Sequence, residues 1–317
     1  MKIFVSGMGG GLDLVSALPL YFALKEEGHS VTLGSVRSAE YRFFKDAEYV
    51  ARSVTRITPH TQIEVTTAPG KGRYPEATLA RLLNEDVLLM SSRKSGVDNP
   101  NELARTLTYV IRNFDALFFV DTGGDSLIMR CEDASSESEF ANPFSGGDAI
   151  TLAAISRMNT KKPILQAIIA PGLDIDKKAF HANIDFLRQN DAYFGAVNVR
   201  TAEKDNYLLD DFCSWTGEFR SKYVDIAKEI LALTEIDAKR SNETSNNERK
   251  RWQSHTAIIA YYALTAQFGL RRTYMPWEPT SAAGERGVNV TAEHCWMYVV
   301  DPRTVEREKL RIRSSSS

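Results

Sequence analysis

The chain has 317 residues, 43% of them hydrophobic, and its 39 basic against 41 acidic side chains leave a formal net charge of −2. So near-neutral a balance gives no electrostatic case for nucleic acid or a membrane surface as partner, and no apolar run approaches the ~20 residues a spanning helix needs. The cysteines, Cys131, Cys213 and Cys295, fit neither a zinc spacing nor a disulfide framework, so the expectation is a reduced, cytoplasmic protein with a sizeable core.

In chain order, Lys2–Ser6 reads as a short strand, entered from Met1 without the apolar core of a signal peptide. The glycine loop Gly7-Met8-Gly9-Gly10-Gly11-Leu12-Asp13 follows. Asp13 is placed to cap one helix to about Glu27, with Leu14, Ala17, Leu18, Tyr21, Phe22 and Leu24 at its apolar positions. Gly28 ends it, and Ser30–Gly34 is the next strand, which makes a parallel βαβ unit. Ser38–Val50, with Tyr41, Phe43 and Phe44, reads as helical, and Gln62–Thr67 alternates weakly, as a short strand does. Pro75 opens a helix to Leu83, Asp86–Met90 is an apolar strand, and Asn99-Pro100 starts an amphipathic helix to Asn113.

Ala116–Val120 is a continuous apolar run suited to the middle of a parallel sheet, and the acidic, serine-rich Glu132–Glu139 reads as a mobile loop. Helix Asp148–Met158, strand Pro163–Ile169, helix Asp176–Gln189 and a short strand Tyr193–Val199 continue the alternation. Beyond residue 200, Tyr223–Leu233 and Arg251–Phe268 read as helices around the polar Ser241–Arg249, Trp296–Val300 reads as a late strand, and Ser314–Ser317 reads as a disordered tail. The expected architecture is α/β. Residues 1–200 form a Rossmann-like, mostly parallel sheet with helices on both faces, and residues 201–317 form a mainly helical elaboration with a late strand, packed on that core.

Chemistry is expected where apolar runs end in glycine and carboxylate, the carboxyl edge of such a sheet. The glycine loop after the first strand is no P-loop, because Gly-Lys-Ser/Thr is missing. It lacks the dinucleotide fingerprint too, since Asp13 stands at the third glycine, and an acidic helix start repels phosphate. In Asp121-Thr122-Gly123-Gly124-Asp125 two carboxylates flank a flexible glycine pair, able to hold a hard cation, a substrate amine or a ribose diol, or to act as base and acid. Ser145-Gly146-Gly147-Asp148 resembles a second glycine-preceded helix start, and Pro171-Gly172-Leu173-Asp174 would bring Asp174 to the same edge. For each turn the plainer alternative is an Asp-capped or Asp-stabilised turn. His60 and His181 lack partners at useful spacing, His255 is a candidate base, and Arg73 can grip an anionic group. No Gly-x-Ser-x-Gly elbow or papain-like cysteine signature supports covalent hydrolase chemistry.

Together these turns resemble a prokaryotic family of unknown function, numbered 1152. The likeness runs through Gly9–Asp13 with Ala17-Leu18-Pro19-Leu20, Arg73–Glu76, Val120–Asp125, Pro143–Ala149 and Pro171–Asp174, then Ser254–Ala257 and Trp296–Asp301. The resemblance implies a Rossmann-like sheet and carries no assigned activity.

The functional expectation is a small-metabolite enzyme, a hydrolase or a lyase/cyclase, acting on an amino-acid-like or anionic substrate. Asp121, Asp125 and Asp13 are the catalytic candidates, and Asp13, Asp121, Asp125 and Asp174 the metal ligands, for Mg²⁺ or Mn²⁺ because an all-carboxylate set is hard. Gly9, Gly10, Gly11, Gly123, Gly124, Ser145, Gly147, Asp148, Arg73 and His255 are the substrate-binding candidates. No nicotinamide or flavin is expected, a small molecule is the expected partner, and a homodimer is compatible with the size. A nucleotide-binding Rossmann-type enzyme or sensor, and a non-catalytic binding protein, stay open as alternatives.

Overall fold

The computed structural model describes residues 1–9, 11–36, 44–51, 53–63, 75–90, 99–127, 147–169, 171, 175, 177–198 and 296–315. The strands are β1 (Lys2–Gly7), β2 (Ser30–Val36), β3 (Phe44–Lys45), β4 (Glu48–Ala51), β5 (Val54–Ile57), β6 (Gln62–Ile63), β7 (Val87–Met90), β8 (Ala116–Thr122), β9 (Ile164–Ile169), β10 (Tyr193–Asn198) and β11 (Trp296–Val300). The helices are α1 (Gly11–Ser16), α2 (Leu18–Glu26), α3 (Pro75–Leu83), α4 (Pro100–Ile111), α5 (Gly147–Ser156), α6 (Lys177–Gln189) and α7 (Pro302–Ser315). Among the described residues, no helix is long and apolar enough to cross a membrane.

Among the described residues, nine strands form one mixed sheet in the order β10-β11-β9-β8-β1-β2-β7-β5-β4, with β3 and β6 paired separately. Its centre, β9-β8-β1-β2-β7, is parallel, and antiparallel strands extend both edges. Alternation along the strands divides the core in two. Val5, Leu33, Phe118, Val120, Ala167 and Val299 pack on one face against α1, α2 and α3. Phe4, Leu117, Phe119, Ile168 and Val300 pack on the other against α4, α5, α6 and α7. With both faces covered, β8 is buried at every position, which is why its sequence reads as an unbroken apolar run.

Several expectations are corrected. The single helix from Asp13 is two, α1 and α2, because Pro19 in the first turn of α2 has no N–H to continue the ladder. Within Ser38–Val50 the described part is strand: Glu48–Ala51 pairs antiparallel with Val54–Ile57, and β5 with β7, so sheet pairing overrides the aromatic spacing. The serine tail is helical through Ser315, where the Ser314 hydroxyl donates to the Arg311 carbonyl at 2.8 Å. The helices expected within residues 201–295 lie outside the described residues. The late strand is present, and it sits inside the sheet, antiparallel between β9 and β10.

The path of the chain decides where a site can open. From β1 it moves outward to β2 and the edge pair β4 and β5, comes back to β7 between β2 and β5, then returns over α4 to β8 on the other side of β1. The loops leaving β1 and β8 therefore diverge to opposite faces, and the switch point of the sheet lies between their carboxyl ends.

Candidate functional site

Asp13 lies in the first turn of α1 and is 6% exposed. Its carboxylate accepts the Gly9 N–H at 2.9 Å and the Thr122 N–H at 3.1 Å. One side chain thus ties the loop after β1 to the end of β8. Charged acceptors on backbone N–H groups make strong, geometry-fixing bonds.

Asp121 is the penultimate residue of β8 and 1% exposed. The strand runs one pair beyond it, Thr122 opposite Ile169, so Asp121 belongs to the sheet and not to the turn. The Ser126 hydroxyl donates to Asp121 Oδ2, and the Gln166 amide Nε2 donates to Ser126 Oγ. Gln166 comes from β9, opposite Phe119, on the same face as Asp121. Gly123 (φ 105°) and Gly124 (φ 94°) turn the chain straight from β8 into the 3-10 turn Asp125–Leu127. Two consecutive positive φ values favour glycine, and they bring Asp125 back beside Asp121.

Asp148 enters from α5. A Cβ on Gly9 would stand 2.5 Å from Asp148 Oδ1, so the carboxylate lies directly on the glycine backbone. The Thr151 hydroxyl, one turn on, donates to the Met8 carbonyl at 2.6 Å and fastens α5 to the loop after β1. One carboxylate oxygen from each of Asp121, Asp125 and Asp148 lies within 4.8 Å of the other two. Three acids gathered so closely suit a cation in or against the cluster.

Lys309 of α7, 3% exposed, sets a positive side chain among the same acids. Burial pushes its ammonium below the usual lysine range, and Asp125, Glu306, Asp148 and Asp121, in that order, hold it up. Burial likewise raises the Glu306 carboxyl, against the pull of Lys309, Arg157 and Arg313.

The structure therefore brings together Asp121, Asp125, Gly9, Gly123, Gly124, Gly147 and Asp148, with Asp13 bridging the two strand ends. Gly11 begins α1. Asp174, Arg73, His255, Ser145 and Gly10 lie outside the described residues. His60 is in an exposed turn and His181 is exposed on α6. Asp148 completes the three-acid group, which does not include Asp13.

Sequence reasoning missed Ser126, Gln166 and Lys309. Ser126 follows Asp125 directly, in the 3-10 turn. Gln166 sits in an otherwise apolar strand, and Lys309 falls on the spacing of Val305 and Ile312, so each is a polar residue on an apolar pattern.

No curated protein and no solved structure matches the chain. Residues 4–216, which hold the loop after β1, the Asp121–Asp125 turn and Asp148, match the family described as "Protein of unknown function (DUF1152)", and the chain belongs to that family.

Proposed function

We propose that this chain is a small-metabolite enzyme whose site is the acidic crevice at the switch point, with Asp121, Asp125 and Asp148 binding one hard divalent cation such as Mg²⁺ or Mn²⁺. The observation that carries the reading is the approach of their three carboxylate oxygens to within 4.8 Å of one another. Oxygen-only donors favour such cations over zinc. The cation would act as a Lewis acid on a substrate oxygen, for hydrolysis or for a cyclisation or elimination. Both helix starts at the crevice carry an acid in the first turn, Asp13 in α1 and Asp148 in α5. That electrostatic setting favours the cationic end of an amino-acid-like substrate over its anionic end.

The order β7-β2-β1-β8-β9 of the parallel strands supports a second reading, a Rossmann-like nucleotide site. Asp13 counts against it, because its carboxylate already takes the Gly9 and Thr122 N–H groups near which a phosphate would bind.

The test is thermal unfolding with and without millimolar Mn²⁺ or Mg²⁺, in parallel with NAD and ATP. The divalent cation is expected to raise the melting temperature of the wild type and not of the Asp121→Asn/Asp125→Asn double variant. A shift with nucleotide alone would replace the first reading by the second. A cation shift that survives the double substitution would remove the cluster as its cause.

A further inference from the structure

α7 follows β11, which runs antiparallel to β9, so the helix starts at the amino edge of the parallel strands and climbs toward their carboxyl edge. From Pro302 to Lys309 it rises about 10 Å. Lys309 is thereby carried toward that edge, on the face that Asp121 and Asp148 share with α5, against which α7 packs.

Lys309 lies on the buried face of α7 with Val305 and is 3% exposed, while the adjacent Leu310 is 48% exposed. A buried ammonium is tolerated only where carboxylates meet it. Its four electrostatic partners are Asp125, Glu306, Asp148 and Asp121, three of which form the acid cluster. A second feature of the same crevice also calls for a ligand: the wholly buried Gln166 donates through Nε2 to Ser126, while its Oε1 has no hydrogen-bond partner among the described residues.

A positive side chain set among these acids opposes any cation that enters, and the opposition grows with the charge of the ion. Resting on the cation-site reading above, we propose that Lys309 is a fourth residue of the site, a positive charge delivered by α7 that weakens the hold of the Asp121–Asp125–Asp148 cluster on cations, more for trivalent ions than for divalent ones. Lys309 lies beyond residues 4–216, so the segment that carries the family match supplies the acids and the end of the chain supplies their counter-charge.

The experiment titrates Ca²⁺ and Tb³⁺, ions of similar size and different charge, into the full-length wild type, Lys309→Met and Lys309→Arg. The wild type is expected to bind one Ca²⁺ per chain. Lys309→Met is expected to bind Ca²⁺ about tenfold more tightly or better, and to gain a larger factor for Tb³⁺, because the repulsion removed grows with the charge of the ion. Lys309→Arg, which keeps the charge, should stay near the wild type. A folded Lys309→Met that binds both ions no more tightly than the wild type overturns the proposal.

If no variant binds either ion, the cation reading fails on its own, and a double-substitution cycle in thermal unfolding decides the role of Lys309. The cycle compares Asp125→Asn, Lys309→Met and the pair. A pair less destabilised than the sum of the single changes keeps Lys309 as counter-charge of the cluster, and strict additivity overturns it. If Lys309→Met alone fails to fold, a folded pair gives the first result, and a pair that also fails to fold gives the second.

Discussion

At the scale of single residues, the site depends on backbone approaching backbone. A Cβ on Gly147 would stand 2.6 Å from Gly9 Cα and 2.8 Å from the Gly9 carbonyl oxygen, so α5 begins against the bare chain after β1. Backbone cannot rotate out of the way as a long side chain can. Gly147→Ala should therefore push α5 off the loop and cost about 1–3 kcal/mol, the usual range for overpacking. Denaturant unfolding measures that loss, and divalent-cation affinity should fall with it because Asp148 moves with the helix. The turns Gly7–Gly9 and Asp121–Gly124 are marked in the sequence by the apolar runs before them, whereas Gly147 and Asp148 follow the irregular Asn142-Pro143-Phe144-Ser145-Gly146. The partners of these residues are not marked: the bond from Thr122 to Asp13 spans 109 positions, and no local pattern encodes it.

At the scale of elements, a polar triad holds α2 to the start of β7. The Tyr21 hydroxyl donates to Glu85 Oε2 at 2.6 Å, and the Lys25 ammonium donates to the Tyr21 oxygen at 2.9 Å and to Glu85 Oε1. Burial, then the hydrogen bond and charge of Glu85, push the Tyr21 hydroxyl far above the ordinary tyrosine range. A raised folded-state value means that the protonated phenol stabilises the fold fully below about pH 10, the unfolded value, and that this contribution is lost as pH rises beyond it. Wild-type melting temperature is expected to fall above that pH, and Tyr21→Phe, which cannot ionise, to lack this component of the fall. At neutral pH the same substitution should cost about 1.5–3 kcal/mol for the lost bond to a charged acceptor. Elements with strong local signals were legible. Asn99 caps α4 through its side chain, accepting the Asn101 N–H at 2.9 Å, and Pro100 sits where its missing N–H does no harm. β4 was misread because its pairing with β5, and through it with β7, outweighs the local spacing of its aromatics.

At the scale of the whole molecule, the end of the chain completes the sheet. β11 separates β9 from β10, and Met297, Val299, Val300 and Val305 are buried across the two cores. At roughly 1.5–3 kcal/mol each these four contribute about 6–12 kcal/mol, against about 5–15 kcal/mol for the net stability of a typical domain. A chain ended at residue 216, where the family match stops, should therefore lose its cooperative melt and bind a hydrophobic dye. A sharp two-state transition in that fragment would contradict this accounting.

What the sequence alone determined was local: the alternation of apolar runs and amphipathic helices that specifies an α/β sheet, and the glycine–aspartate turns at its strand ends. Which turns meet was decided by the tertiary structure, because strand order follows from pairing between distant segments, and β8 joins β1 only after the chain has crossed back over α4. The buried lysine was decided there too. Its charge is met by Glu306 of its own helix and by Asp125, Asp148 and Asp121 from three other elements, and the sequence around Lys309 contains only the first of these.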